Sequence, residues 1–188
     1  MSVTLMAPPA LEPVSLAQMK DHLRVEHSAE DTLISSYITS ARLHIEARLA
    51  KLLITQDWRI NFDSLPSGKV VELPLAPILA LNSVSYYTQQ AGPTLIPAVD
   101  YSIDLNSMRP KFSLHLQRQN LRAFGAYELE VSAGYGPAVE DVPADIRHAL
   151  KLLVAHWFEN REAASPLTRS HLPLGIRAIL EPHRQVLL

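Results

Sequence analysis

The chain has 188 residues and 47% hydrophobic content, enough to bury the core of one ordinary domain or of one domain with a sizeable excursion, which excludes a disordered chain. Its net charge of -2, pI near 6.4 and lack of any run of five basic residues exclude a protein that grips phosphates over many contacts. The absence of cysteine excludes disulfides, cysteine-zinc sites and thiol catalysis, and no stretch approaches the roughly 18 apolar residues of a membrane span.

Residues 1 to 14 carry Pro8, Pro9 and Pro13, which remove backbone donors, so this lead-in is predicted to be extended. It has no charged leader before its apolar residues and reads as a poor signal peptide; the expectation is a chain that is cytosolic when synthesised. Ser15 and Gln18 have the spacing of a capping box, followed by Leu16, Met19 and Leu23 at helical intervals, which predicts a short helix over 16–23. Ser28, Glu30 and Asp31 then place acidic groups where the positive end of a helix dipole lies. From there Leu33, Ile34, Tyr37, Ile38, Ala41, Ile45 and Leu49 form one stripe, with Arg42 and Glu46 mainly off it, and predict an amphipathic helix over about 29–50.

Between Leu53 and Ala133 the period changes to two. Trp58, Ile60 and Phe62 alternate with Arg59 and Asn61, and Pro66-Ser67-Gly68 leads into Val70–Leu73 as a hairpin signal. Further strands are expected at Ser83–Thr88, Tyr101–Leu105, Lys111–Leu116 (with Phe112, Leu114 and Leu116 on one face) and Tyr127–Ala133. Long crossover helices between these strands are missing, which favours a small antiparallel sheet over a doubly wound fold. The last strand runs through Gly134-Tyr135-Gly136-Pro137 into a strongly apolar helix over 143–161. There Pro143 falls in the first turn, Asp145 lies near the start and Arg161 near the end. Its apolar residues cover more than one stripe, as expected of a helix that packs on two sides. After Ser165-Pro166 the chain reads as loop, with one or two helical turns in Leu174–Leu180 before Pro182.

None of the chemistry-bearing patterns outweighs its bland explanation. The eight histidines lack compact ligand spacing, with His148 and His156 the best pair and still expected to border the core. Glu30 with Asp31, and Glu140 with Asp141, sit where helix capping accounts for them. Gly134-Tyr135-Gly136 has neither the third glycine nor the Lys-Ser/Thr of a phosphate loop, and Pro137 removes a donor, so a glycine turn is the better reading. No serine lies in a nucleophile elbow. No catalytic, cofactor-binding or metal-binding residue is assigned. Arginines such as Arg42, Arg48, Arg118, Arg122, Arg147, Arg161, Arg169, Arg177 and Arg184 outnumber lysines, a usage that mildly favours protein interfaces.

Several segments in fixed order carry a resemblance. They are the Leu11–Val25 opening, the long helix after Glu30-Asp31, the Ile54-Thr55-Gln56-Asp57-Trp58 entry into the sheet, Val84-Ser85-Tyr86-Tyr87, the Ala133-Gly134-Tyr135-Gly136 turn, and Ala155-His156-Trp157-Phe158-Glu159-Asn160-Arg161-Glu162. Together they resemble the head-tail connector (adaptor) family of long-tailed bacteriophages and gene transfer agents. The fold class expected is then α+β: a helical core built on long helices near 29–50 and 143–161, with a small antiparallel β region between them. A single connector domain would span 1–188, with a β-rich excursion at about 54–133 and a C-terminal tail at about 166–188.

The resemblance implies a structural protein and no enzyme: copies closing into a ring, expected to be a dodecamer, on the portal protein. The ring would extend the DNA channel and join the capsid vertex to a head-completion (stopper) or tail protein. DNA would pass without specific binding, and neither a membrane nor a cofactor is implied. Its place would be the virion head-tail junction, after assembly in the host bacterial cytoplasm. The tail is the expected portal contact, with Arg177, Arg184, Val186, Leu187 and Leu188 as partner-binding residues. The alternatives are another virion ring or tail-completion protein, and behind it an enzyme with an unrecognised site.

Overall fold

In the computed structural model the described residues are 1–66, 68–89, 91–107, 109–160 and 174–184. They form β1 (Ser2–Ala7), α1 (Leu16–Leu23), α2 (Asp31–Leu49), β2 (Gln56–Phe62), β3 (Val70–Glu72), β4 (Ile78–Tyr86), β5 (Thr94–Leu95), β6 (Tyr101–Asp104), β7 (Lys111–Leu114), β8 (Tyr127–Ala133), α3 (Ala144–Glu159) and α4 (Leu174–Leu180). The fold is α+β. The chain divides into a β unit, Met1–Ala10 with Thr55–Gly136, and a helical unit, Leu11–Ile54 with Pro137–Leu188. No described helix is long and apolar enough to cross a membrane.

In the β unit β8 sits at the centre of a five-stranded antiparallel sheet of order β1-β2-β8-β4-β5. Period-two alternation sends Ile60, Phe62, Tyr127, Leu129, Val131 and Val84 to the buried face. The other face pairs Arg59 with Glu130 across β2 and β8, and Asp57 with Ser132. The predicted extended lead-in is β1, which covers the β2 edge from Ser2↔Asn61 to Ala7↔Asp57.

Three expectations for this region change. The hairpin between 58–62 and 70–73 does not form: both edges of β2 are taken by β1 and β8, and β3 pairs with β7 in a second sheet of order β3-β7-β6. Strand β4 starts at Ile78, five residues before the expected Ser83, because register shifts between Ile78 and Ala80 and between Leu81 and Ser83 break the alternation that marks a strand. Leu116 does not share the buried face with Phe112 and Leu114: β7 ends at Leu114, the His115 N–H turns to the Asp100 carbonyl at 2.8 Å, and Leu116 is left 54% exposed.

In the helical unit α1 opens as predicted, with Ser15 Oγ accepting from the Gln18 N–H and Gln18 Oε1 from the Ser15 N–H, both at 3.2 Å. Helix α2 begins at Asp31, and Ser28 contributes its carbonyl, not its hydroxyl, to the Asp31 N–H at 3.2 Å. The Asp31 carboxylate instead takes Lys20 Nζ at 2.7 Å and ties α1 to α2. Ile34, Ile38, Ala41, Ile45 and Leu49 of α2 are buried, as are Ile146, Ala149, Leu150, Leu153 and Val154 of α3, and the two helices pack together. Tyr37 and His44 meet Trp157 edge-on at centroid distances of 6.2 and 6.1 Å. Pro143 is the N-cap of α3 and not a first-turn residue; the predicted end at Arg161 lies outside the described residues.

Arg42 and Glu46, expected off the apolar stripe, are 6% and 7% exposed. They are affordable there because the charges are matched. Arg42 Nε donates to Glu12 Oε2 at 2.8 Å and Nη1 to Glu46 Oε2 at 3.0 Å, while Glu46 Oε1 accepts the Leu53 N–H and Glu12 Oε1 the Thr39 hydroxyl, each at 2.9 Å.

Candidate functional site

The partner-binding residues expected in the tail fall partly on α4. Ile176 and Leu180, four apart and on one face, are buried, and α4 packs on α3. Arg177 is exposed on α4, and Leu174 at its start is 84% exposed. Arg184 lies just beyond and reaches Glu181 at 3.7 Å. Val186, Leu187 and Leu188 lie outside the described residues, as does the stretch 161–173 with Arg161 and Arg169.

A clasp fixes this segment to the start of α3: His183 Nε2 meets Asp145 Oδ2 at 2.5 Å. Burial pushes the Asp145 carboxyl up, but the His183 hydrogen bond, the Ile146 N–H and the His183 charge outweigh it and hold the group below its ordinary value. The acid near the α3 start, read in the sequence as a partner for the helix dipole, therefore also anchors the approach to the C-terminus.

Several arginines read as interface residues are engaged inside the chain. Arg42 holds Glu12 and Glu46. Arg118 pairs with Asp100 and lies over the Tyr86 ring at 5.4 Å. Arg122 stacks on Tyr87 at 3.7 Å and donates to the Gly125 carbonyl. The side chains of Arg147 and Arg177 have no hydrogen bond or ion pair among the described residues.

The remaining sequence candidates resolve into local roles. His148 and His156 are not brought together: His156 meets Asn160 in the last turn of α3, and His148 faces a cleft near its start. Among the described residues no group of three or more acids and histidines could hold a metal. Asp141 accepts the Ala138 N–H at 2.8 Å and so caps the short turn Val139–Asp141 to which it belongs, not the start of α3, its expected place. Gly134 has φ +141° and spends its N–H on the Pro77 carbonyl at 2.9 Å, so the glycine turn closes on the β unit's own backbone.

Sequence reasoning passed over Phe124, which is 82% exposed at the tip of the loop before β8. The loop is braced on several sides: Gly125 donates to Asp63 Oδ1 at 2.8 Å, the Tyr87 N–H bonds Ala126 O at 2.9 Å, and Thr88 bridges Leu121. A large ring held out by a fixed backbone loses little freedom on contact, the property of an interface anchor. The available signal was Phe124-Gly125 in a turn outside any alternating run.

The chain matches the family described as phage gp6-like head-tail connector protein over residues 13–91 and 114–184, and it belongs to that family. It is a structural head-tail connector. Its fold is similar to a chain in the neck of an empty gene transfer agent (GTA) particle computed with C6 symmetry, at TM-score 0.85 and 24% identity. It is also similar to one in the virion of a native GTA particle, at 0.80 and 25%, and to one in the neck of a native GTA particle computed with C12 symmetry, at 0.82 and 23%. Each alignment covers 100% of this chain and 97% of the other. No curated protein matches it.

Proposed function

We propose that copies of this connector close into a dodecameric ring on the portal protein, extend the DNA channel, and present a surface to a head-completion or tail protein. The observation that carries the reading is the family match over both helical and β segments, joined to full-length likeness with a chain from a neck computed with C12 symmetry. A ring of one kind of subunit needs two different, complementary faces on each copy, and rotation closes the contact. A chain of net charge -2 has little general attraction for the DNA that must slide past it. Its place is the virion neck, reached by assembly in the host cytoplasm. The helical unit is the core of one connector domain, and the β unit is an excursion from it.

The portal contact lies in the tail, through Arg177, Arg184 and the Val186-Leu187-Leu188 end. The Arg177 side chain is exposed and has no partner among the described residues, and apolar side chains such as Val186, Leu187 and Leu188 gain about 25 cal/mol per Å² when buried against a partner. Mixing purified chain with purified portal and imaging the product tests the reading. A twelve-fold ring on one face of the portal supports it, and binding to tail components alone assigns the chain to tail completion instead. Removal of residues 185–188 together with Arg177→Glu should abolish portal attachment without altering the circular dichroism of the free chain. Undiminished attachment refutes the tail's role.

A further inference from the structure

One concentration of positive charge in the helical unit has no answering acid among the described residues. Arg147 and Lys151 lie four apart on α3 with His148 between them, and these three line a cleft of about 300 Å³ together with Pro13, Val14 and Gln18. His22 of α1 stands close enough to feel two of them. Burial first, then the Lys151 and His148 charges, hold its imidazole below the ordinary value.

Like charges at this spacing on a helix repel, and burying a polar nitrogen without a partner costs more. Arg147 Nε is such a nitrogen, shielded from solvent with no hydrogen bond. The described ion pairs of the unit, Lys20–Asp31, Arg42–Glu12, Arg42–Glu46, His183–Asp145 and Arg184–Glu181, use none of the four basic groups. A carboxylate entering the cleft relieves the repulsion and satisfies the guanidinium, and Pro13 and Val14 offer apolar wall to the methylenes that carry it.

The same unit carries the complementary half. Glu26, Glu140 and Glu159 are exposed carboxylates with no partner among the described residues. A phosphate backbone is the poorer occupant, because the basic groups form one concave spot and the chain as a whole is acidic.

We infer that the cleft lined by Arg147, His148 and Lys151, with His22 beside it, is the acceptor half of the contact between neighbouring copies, filled by a carboxylate-bearing segment of the helical unit of the next copy. The inference rests on the ring reading and deepens it: one subunit type presenting both an unanswered basic cleft and unanswered acids meets the requirement of a heterologous, closing interface.

Rings assembled on portal from an equal mixture of nitrogen-15-labelled and unlabelled chain, treated with a water-soluble carbodiimide and digested, test it directly. The expected product is an amide between Lys151 and a Glu or Asp of this chain, with mixed-isotope pairs showing that the two peptides came from different copies. The double variant Arg147→Glu/Lys151→Glu should lower ring yield at least tenfold at unchanged thermal midpoint. Reversing the cross-linked acid to lysine in that background should restore the ring. Lys151 cross-links that are absent, confined to one copy or made only to portal overturn the inference, as does a ring whose yield falls on removing DNA but not in the double variant. These outcomes leave the ring reading standing, whereas wild-type chain that never forms a ring on portal overturns both.

Discussion

Arg42 shows how a single side chain can be both buried and charged when its partners lie within the chain. Its guanidinium serves Glu12 and Glu46, and Glu46 in turn holds the Leu53 N–H where the chain leaves α2. Removing one partner of such a network leaves the others buried and uncompensated, which costs about 3–5 kcal/mol. Arg42→Ala is therefore expected to lower the unfolding free energy by that amount in urea titrations, and a loss below about 1 kcal/mol, the worth of a surface pair, contradicts the assignment. Glu130 makes a different prediction. Its hydrogen bond from Arg59 outweighs burial, and with the Ser83 hydroxyl and the Arg59 charge it holds the carboxyl below its ordinary value. A depressed folded-state value means stability that is fully present above the unfolded glutamate range, about pH 4.3, and lost as pH falls through the lower folded value. Glu130→Gln should flatten that part of the stability-pH curve and leave a residual slope from Asp63 and Asp145, whose carboxyls are also depressed. A variant curve parallel to wild type across the acid range would show that the sheet-face pair does not bias folding.

Elements were legible in the sequence where one periodicity ran unbroken. The apolar positions of the α2 stripe, the Ser15 capping box and the β8 strand stand as read, because each is a local pattern that the local backbone satisfies, whereas Arg42 and Glu46 join the buried face of α2 through partners the periodicity does not show. Reading failed where a long-range partner decided the outcome. Val70–Glu72 pairs with β7 because β2 is already flanked, and the start of β4 is hidden by its register shifts. Within the candidate site, Arg177 could be picked out as an exposed arginine, but neither the Asp145–His183 clasp nor the gathering of His22 with Arg147, His148 and Lys151 shows in one dimension, since residues 38 positions apart build the first and residues over a hundred apart the second. The loop before β8 offers an element-scale test. Gly125 has φ +58°, and a Cβ there would lie 3.1 Å from Arg122 Nη2, an atom held in place by the Gly125 carbonyl and the Tyr87 ring. Gly125→Ala combines left-handed backbone strain of about 1–2 kcal/mol with displacement of that arginine. The expected result is a lowered unfolding midpoint and faster proteolysis near Phe124, while an unchanged cleavage pattern would mean that the loop is not braced through Arg122.

For the whole molecule, the course of the chain decides whether the β region is an excursion or an integral half. The internal segment of the β unit begins at Thr55 and ends at Gly136, and these two residues are joined by a hydrogen bond from the Thr55 N–H to the Gly136 carbonyl at 3.0 Å. The helical unit thus loses and regains the chain at nearly one point. Closing a short loop there costs little entropy, and replacing the intervening stretch with a few residues does not stretch the backbone on either side. The apolar residues of α2 and α3, Tyr37 against Trp157, and the Arg42 network all lie within the helical unit. A chain of residues 11–54 joined to 137–188 through a short Gly-Ser linker is accordingly expected to give helical circular dichroism and a single cooperative unfolding transition. If the β unit shares the core instead, the spliced chain will expose apolar surface, bind hydrophobic dye and melt without a sharp transition. The same splice retains Arg147, His148, Lys151 and His22 together with Glu26, Glu140 and Glu159, so its self-association at high concentration separates ring contacts made by helices from those that need the sheet.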